Sequence, residues 1–201
     1  MYVTKIEPVT KTRYKVFLDG QFAFVLYKGE LSRYHIVQNA EVGKDTISHI
    51  LGEIVLKRAK LRAMHLLTDM DRTESQLRTK LKQSLYPDEI VDQAVDYVKS
   101  FGYIEDGNYA RRFVDSRKGA KSRKEIYAAL CQKGVSKDTI ERVMEECYED
   151  EGEQEAIRRI LEKKKFCAEQ ATETERTKIY NYLMRKGFRY EDIRQVIQFL
   201  N

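Results

Sequence analysis

A short pattern of apolar residues occurs three times in this 201-residue sequence, and it constrains the fold more than any other feature. Each copy has two apolar residues four positions apart, and a second apolar stripe follows in the next predicted helix. The pairs are Leu77/Leu81, Ile126/Leu130 and Ile179/Leu183, and the stripes begin at Val91, Ile140 and Ile193. Spacings of three and four residues place side chains on one face of an α-helix. Recurring helical units are typical of proteins built by stacking copies of one motif.

Signals for helix ends fall at matching places in these copies. Thr73 with Gln76, and Ser122 with Glu125, fit the capping box that begins a helix. Glycine suits the left-handed backbone conformation that often ends a helix. The segments between the last two helices of each copy are Ser84-Leu85-Tyr86, which has no glycine, Lys133-Gly134-Val135 and Lys186-Gly187-Phe188.

The first 27 residues differ from the rest because apolar and polar residues alternate there. Asp19-Gly20 separates two such runs, and Asp-Gly between alternating runs is a strong hairpin signal. This turn would pair Phe17 with Phe22 across the strands, and Tyr2 to Ile6 could add a third strand. Such an element fits either a structural cap over the first helices or a docking module for a partner.

These patterns predict a mainly α protein with three tandem three-helix repeats in an elongated array and a small N-terminal β-hairpin or three-strand element. The helical stripe from Lys44 to Leu67, which includes Leu61, would open the first repeat. The predicted domains are a β-rich extension over residues 1–43 and repeats over 44–101, 102–149 and 150–201. Because stacked repeats bury their faces against one another, we expect a monomer.

Positive charge is concentrated in a basic run from Arg111 to Lys124, although the chain has 37 basic and 32 acidic residues and a net charge of only +5. Acidic residues cluster from Glu145 to Glu155 instead. Such a basic run fits either a solvated face or a surface that contacts phosphates and carboxylates. The candidate binding residues are Arg111, Arg112, Arg117, Lys118, Lys121, Arg123 and Lys124, with Arg158 and Arg159 from a second basic cluster.

No pattern in the sequence points to catalysis, a metal or a cofactor. The three histidines are isolated, and there is no phosphate-binding loop or nucleophile motif. Cys131, Cys147 and Cys167 lack metal-site spacing, and the first two fit small buried residues in a reducing compartment. No apolar run is long enough to span a membrane. The sequence therefore predicts a cytoplasmic protein that is not an enzyme.

An ordered set of motifs resembles the RecX family over roughly residues 60 to 201. The motifs are Arg72-Thr73-Glu74-x-x-Leu77-Arg78-x-Lys80-Leu81, Gly102-Tyr103-Ile104-x-Asp106, Tyr109-Ala110-Arg111-Arg112-Phe113, Ser116-Arg117 and Lys133-Gly134-Val135, with Ile126 and Leu130. The sequence departs from the family pattern at Lys121-Ser122, where many members have Gly-Pro, and at Ala129-Leu130, where they have Glu-Leu.

The resemblance implies a regulator of the RecA recombinase. Proteins of this family are built from three-helix repeats, lie in the groove of the RecA–DNA filament and most often inhibit the recombinase. Some members also contact DNA, so single- or double-stranded DNA is a further expected partner. The alternative from another class is a helical nucleic-acid-binding protein that acts on DNA or RNA without the recombinase.

Overall fold

The computed structural model describes residues 1–148 and 152–199. Residues 149–151, which belong to the acidic cluster, and Leu200, which ends the third apolar stripe, lie outside the described residues. The chain divides into two compact units, Met1–Ile104 and Glu105–Asn201.

The first unit begins with a three-stranded antiparallel sheet in the order β1-β2-β3. Its strands are β1 (Val3–Pro8), β2 (Arg13–Leu18) and β3 (Gln21–Tyr27). Asp19 and Gly20 both have positive φ, at 48° and 84°, as a tight hairpin turn requires. Phe17 pairs with Phe22, and their ring centroids are 6.0 Å apart. The predicted hairpin and its third strand are therefore confirmed.

Helices follow the sheet through the rest of the first unit. They are α1 (Lys28–Arg33), α2 (Lys44–His49), a π-helical segment (Ile50–Leu56), α3 (Lys57–Asp69), α4 (Glu74–Gln83) and α5 (Asp88–Ser100). One buried apolar cluster includes Val16 and Phe24 of the sheet together with Ala59, Leu81 and Val95 of the helices. The sheet thus covers the first helices, which is the structural role that the sequence allowed.

Polar contacts also join the sheet and α1 to α3 and to the end of α4. Arg58 Nη2 donates to both carboxylate oxygens of Glu30, at 2.7 and 2.9 Å. The same guanidinium lies 4.7 Å from the ring of Tyr27, and Arg13 Nη2 donates to Ser84 O at the end of α4. These charge-assisted and cation–π contacts hold Tyr27 and Glu30 against α3, which carries Arg58.

The predicted single stripe from Lys44 to Leu67 was wrong at Leu61, which is 64% exposed. The π-helical segment contains Gly52, the weakest helix former of the stripe. Because a π turn contains more residues than an α turn, it rotates the residues after it relative to a continuous α-helix. Ala59, Ala63 and Leu66 consequently form the buried face of α3.

The second unit contains two more three-helix sets. Their helices are α6 (Asp106–Asp115), α7 (Arg123–Gln132), α8 (Lys137–Cys147), α9 (Gly152–Lys163), α10 (Glu173–Arg185) and α11 (Tyr190–Phe199). In each repeat the first helix packs against the third, as α3 does with α5, α6 with α8 and α9 with α11. The mainly helical fold with tandem three-helix repeats is confirmed.

Helix caps recur as predicted, and a third one was missed. Thr73 and Ser122 each form a complete capping box. Thr172 forms the same box with Glu175, although it precedes Ile179 by seven residues, whereas Ser122 precedes Ile126 by four. The extra residues lengthen α10 to 13 residues, compared with 10 in α7.

The segment between α4 and α5 ends the helix without a glycine. Leu85 has φ +66°, in the same left-handed region as Gly134 at +80° and Gly187 at +92°. The first repeat therefore repeats the backbone geometry of the other two. Leu85 is strained in this conformation, because the Cβ atom of an L-residue lies close to the following carbonyl oxygen there.

The predicted burial of Cys131 and Cys147 is only partly confirmed, since both pack against the core of the second repeat without being fully buried. Cys131 and Cys147 are half-buried and Cys167 is exposed, and all three are free. Cys131 follows the core residue Leu130 on α7, so its side chain points partly away from the core. The apolar interior of α8 is formed by Ile140, Val143 and Met144 instead.

Candidate functional site

The basic run occupies the end of α6, the connector and the start of α7. Glu105 caps α6 by accepting from the backbone N–H groups of Gly107 and Asn108, at 2.8 and 2.6 Å. Although partial burial raises the pKa of Glu105, these two hydrogen bonds lower it overall. Ser122 caps α7, and turns such as Lys121 N to Arg117 O at 2.9 Å keep the connector ordered between the two helices.

Arg111 is engaged within its own repeat. Its Nε donates to Glu146 Oε2 at 2.8 Å, and its Nη1 donates to Asn108 Oδ1 at 2.8 Å. The hydrogen bond from Arg111 lowers the pKa of the Glu146 carboxyl, which also accepts from Arg142. This ion pair joins α6 to α8, so Arg111 has a structural contact besides any contact with a partner.

Three further candidates are held against neighbouring groups. The Arg117 guanidinium carbon lies 3.9 Å from the centre of the Phe113 ring. Lys118 Nζ pairs with Asp115 at 3.0 Å, and the Arg123 guanidinium lies 5.6 Å from the ring of Tyr148. Such contacts fix the direction of each charge while leaving part of it exposed to solvent.

The structure places the two predicted basic clusters beside each other. A Cβ atom on Gly119 would lie 2.6 Å from Nη1 of Arg159, so this guanidinium covers the connector backbone. Arg159 also forms an ion pair with Glu155 on α9. Arg158 is exposed on the same helix. The approach of Arg159 to Gly119 therefore joins the connector of the second repeat and α9 of the third into one cationic surface.

Lys121, Lys124 and Arg158 are the most available of the predicted cations. All three are exposed, and none forms an ion pair with any residue in the described parts of the chain. Arg112 is also exposed, but it already interacts with another group of the protein. Unpaired cations on an ordered surface are the groups that a polyanion or an acidic protein face would neutralise.

A junction between the second and third repeats underlies this surface. Ser122 Oγ is buried; it accepts from Glu125 N at 3.1 Å and donates to Lys186 O at 2.6 Å. Lys186 Nζ lies 3.4 Å from Glu125 Oε1. Arg123 N donates to Glu153 Oε1 at 2.7 Å. Burial raises the pKa of this Glu153 carboxyl, despite that hydrogen bond.

Two lysines outside the predicted set of candidate binding residues also lie over aromatic rings. Lys133 Nζ is 5.4 Å from the Phe113 ring centre, and Lys186 Nζ is 5.6 Å from that of Tyr182. They occupy equivalent positions, each directly before the glycine that ends a helix. Aligning the Lys-Gly pairs of the repeats with the aromatic positions could have identified them.

The described parts of the chain contain neither a cluster of metal ligands nor a membrane-spanning helix. Among residues 1–148 and 152–199, no group of three potential ligands could hold a metal ion. No helix in the same residues is long and apolar enough to cross a membrane.

Comparison with known proteins identifies the repeats. Three family models match this chain: the first three-helix domain of RecX over residues 59–97, the second over 106–144 and the third over 151–197. A regulatory protein RecX from Caldanaerobacter subterraneus subsp. tengcongensis is 35% identical over 98% of each chain. One from Clostridium botulinum strain Eklund 17B is 28% identical over 98% of this chain and 94% of the relative.

Solved structures show the same fold. A crystal structure of regulatory protein RecX superposes with a TM-score of 0.66 at 24% identity, covering 97% of this chain and 98% of that one. RecX from Lactobacillus salivarius gives a TM-score of 0.65 at 23% identity, covering 73% of this chain and 96% of the other. The likeness thus includes the strand-rich front as well as the repeats in the first of these structures.

Proposed function

This chain belongs to the RecX family of regulatory proteins, and we propose on that premise that it binds along the RecA–DNA filament and inhibits the recombinase. The observation that carries the proposal is the single cationic surface formed by the second-repeat connector and α9 of the third repeat. A filament of recombinase on DNA offers both carboxylates and phosphates, and this surface presents lysine and arginine groups suited to each.

The internal contacts of the surface divide its cations into two roles. Arg111, Lys118 and Arg159 have acidic partners within the protein, of which the Arg111–Glu146 pair joins α6 to α8 and the other two pairs are local. Lys121, Lys124 and Arg158 have no ion pair with a described residue and are the groups that would meet the filament. An ordered cationic surface loses less conformational entropy on binding than a flexible basic tail would.

Inhibition requires the protein to favour one state of the filament. A regulator changes an equilibrium only by the difference between its affinities for the two states. Binding that is tighter to a shortened or inactive filament, or to its ends, would lower the number of recombinase subunits that turn over ATP. The same cations could contribute to binding along an inactive filament or at filament ends. The assay must therefore report the activity of the recombinase and not binding alone.

The direct test is the ATP turnover of the recombinase on single-stranded DNA with increasing amounts of this protein. We expect turnover to fall progressively and to reach a plateau when the protein saturates the filament. A control without DNA separates an effect on the filament from one on the free recombinase. Unchanged turnover at saturating protein would contradict the proposed function.

The second candidate function is nucleic-acid binding without the recombinase, and the observation in its favour is the pair of exposed lysines without an ion pair to a described residue, Lys121 in the connector and Lys124 in α7. It requires tight binding to bare DNA or RNA, with a slope of about −0.7 in log affinity against log salt for each phosphate neutralised on a single strand. Affinity that does not depend on salt would exclude it.

A further inference from the structure

An open cleft of about 750 Å³ lies in the third repeat, outside the candidate surface described above. It is bounded by the segment that follows α9 and by one face of α10. Its apolar wall includes Phe166, Ile179 and Tyr182, and its cations are Lys164, Lys165, Lys178 and Arg185. None of these four cations is among the candidate binding residues that the sequence indicates.

The cleft has four cations and one carboxylate, and that carboxylate is already occupied. Glu175 accepts from the N–H and the hydroxyl of Thr172, at 2.9 and 2.8 Å, in the capping box of α10. These hydrogen bonds lower the pKa of Glu175, so it remains ionised. None of the four cations forms an ion pair with a residue in the described parts of the chain, and their charge is therefore available to a ligand.

The shape of the cleft favours an extended ligand. Lys178 and Arg185 are seven residues apart on α10, which separates them by about 10 Å along the helix axis. A second groove is lined by the same two residues together with Asn181 and Met184. The cations therefore follow a path along α10 and do not surround one point.

The types of side chain favour phosphate over an acidic protein. Three of the four cations are lysines, and lysine is depleted in protein–protein interfaces although it is a common ligand of phosphate oxygens. Lys164 Nζ lies 4.0 Å from the ring of Tyr182, which places an aromatic group directly beside a charge in the cleft. A positive groove with aromatic side chains is typical of proteins that bind single strands without reading their sequence.

We propose that this basic cleft binds the phosphodiester backbone of single-stranded nucleic acid. The inference rests on the proposed function and deepens it by giving the third repeat a contact with the strand itself, separate from the cationic surface of the connector and α9.

The test measures binding of a fluorescently labelled oligothymidylate to the full-length protein by anisotropy at several salt concentrations. The variant Lys178→Gln/Arg185→Gln should bind about tenfold more weakly, and its salt slope should be smaller by about 1.4, the contribution of two phosphate contacts. The matched control, Arg189→Gln/Arg194→Gln, removes the same charge from residues outside the cleft and should bind as the unmodified protein does. Thermal unfolding verifies that both variants are folded.

A second variant tests the other side of the cleft. Lys164→Gln/Lys165→Gln should cause a similar loss, because these lysines face the same path. Equal losses in the cleft and control variants would show general electrostatic attraction and overturn the proposal, as would no loss in either cleft variant. Equally tight binding to a glutamate-rich peptide of the same charge would also overturn it. Because the assay contains no recombinase, its failure is distinguishable from failure of the proposed regulation.

Discussion

Gly187→Ala is expected to lower the free energy of unfolding of the second unit by about 2–4 kcal/mol, the sum of backbone strain and overpacking. Gly187 has φ +92°, a conformation that is unfavourable for alanine. A Cβ atom there would lie 3.0 Å from both Ser122 Oγ and Lys124 Cβ. The substitution would therefore separate the buried Ser122 hydroxyl from Lys186 O and loosen the junction between the second and third repeats.

The matched control for this prediction is Gly102→Ala. Gly102 also has positive φ, at +69°, but a Cβ atom there meets nothing within 4 Å. It should cost only the strain, about 1–2 kcal/mol. Native-state hydrogen exchange measures the two units separately, since each residue reports its own opening. Equal losses in the two variants would contradict the close packing at the junction.

Lys121→Glu/Lys124→Glu is expected to weaken binding to recombinase-coated single-stranded DNA by roughly 10- to 100-fold at moderate salt, because it places like charges against an anionic face. Both lysines are exposed and have no ion pair with a described residue, so the fold should be unaffected. Affinity can be measured by anisotropy of the labelled protein, with ATP turnover as the parallel measure of function.

The control for this charge reversal is Lys137→Glu/Arg194→Glu. It changes the net charge of the same unit by the same amount, at exposed residues outside the candidate surface. We expect a loss of less than about threefold, from long-range electrostatics alone. A similar loss in both variants would indicate attraction to the net charge of the protein and would remove the assigned role of the connector.

Features that depend on short sequence spacing could be predicted reliably. The Asp19-Gly20 turn requires two residues with positive φ, and the capping boxes of Thr73 and Ser122 require only a partner three residues later. The core pairs, such as Leu130 with Ile126, follow from the helical period and are fully buried. Neighbouring residues determine these features, so the sequence alone is sufficient. The elongated form of the array stays a prediction.

Features that depend on distant contacts could not be predicted. No local signal shows that Arg111 pairs with Glu146 or that the Arg159 guanidinium covers Gly119. Two local features were also missed: Leu61 is exposed because a π-helical segment precedes it, and Leu85 adopts a conformation normally occupied by glycine. The basic residues were visible in the sequence, but the structure was needed to separate those with acidic partners from those without.

The most direct test of the central claim compares binding of the purified protein to bare single-stranded DNA and to the same DNA coated with the recombinase. Both measurements should use the same moderate salt concentration, because phosphate contacts depend strongly on salt. Much tighter binding to the coated strand is the predicted result and would locate the function on the filament. Equal or tighter binding to bare DNA would contradict it, and any effect on the recombinase would then arise from competition for the strand.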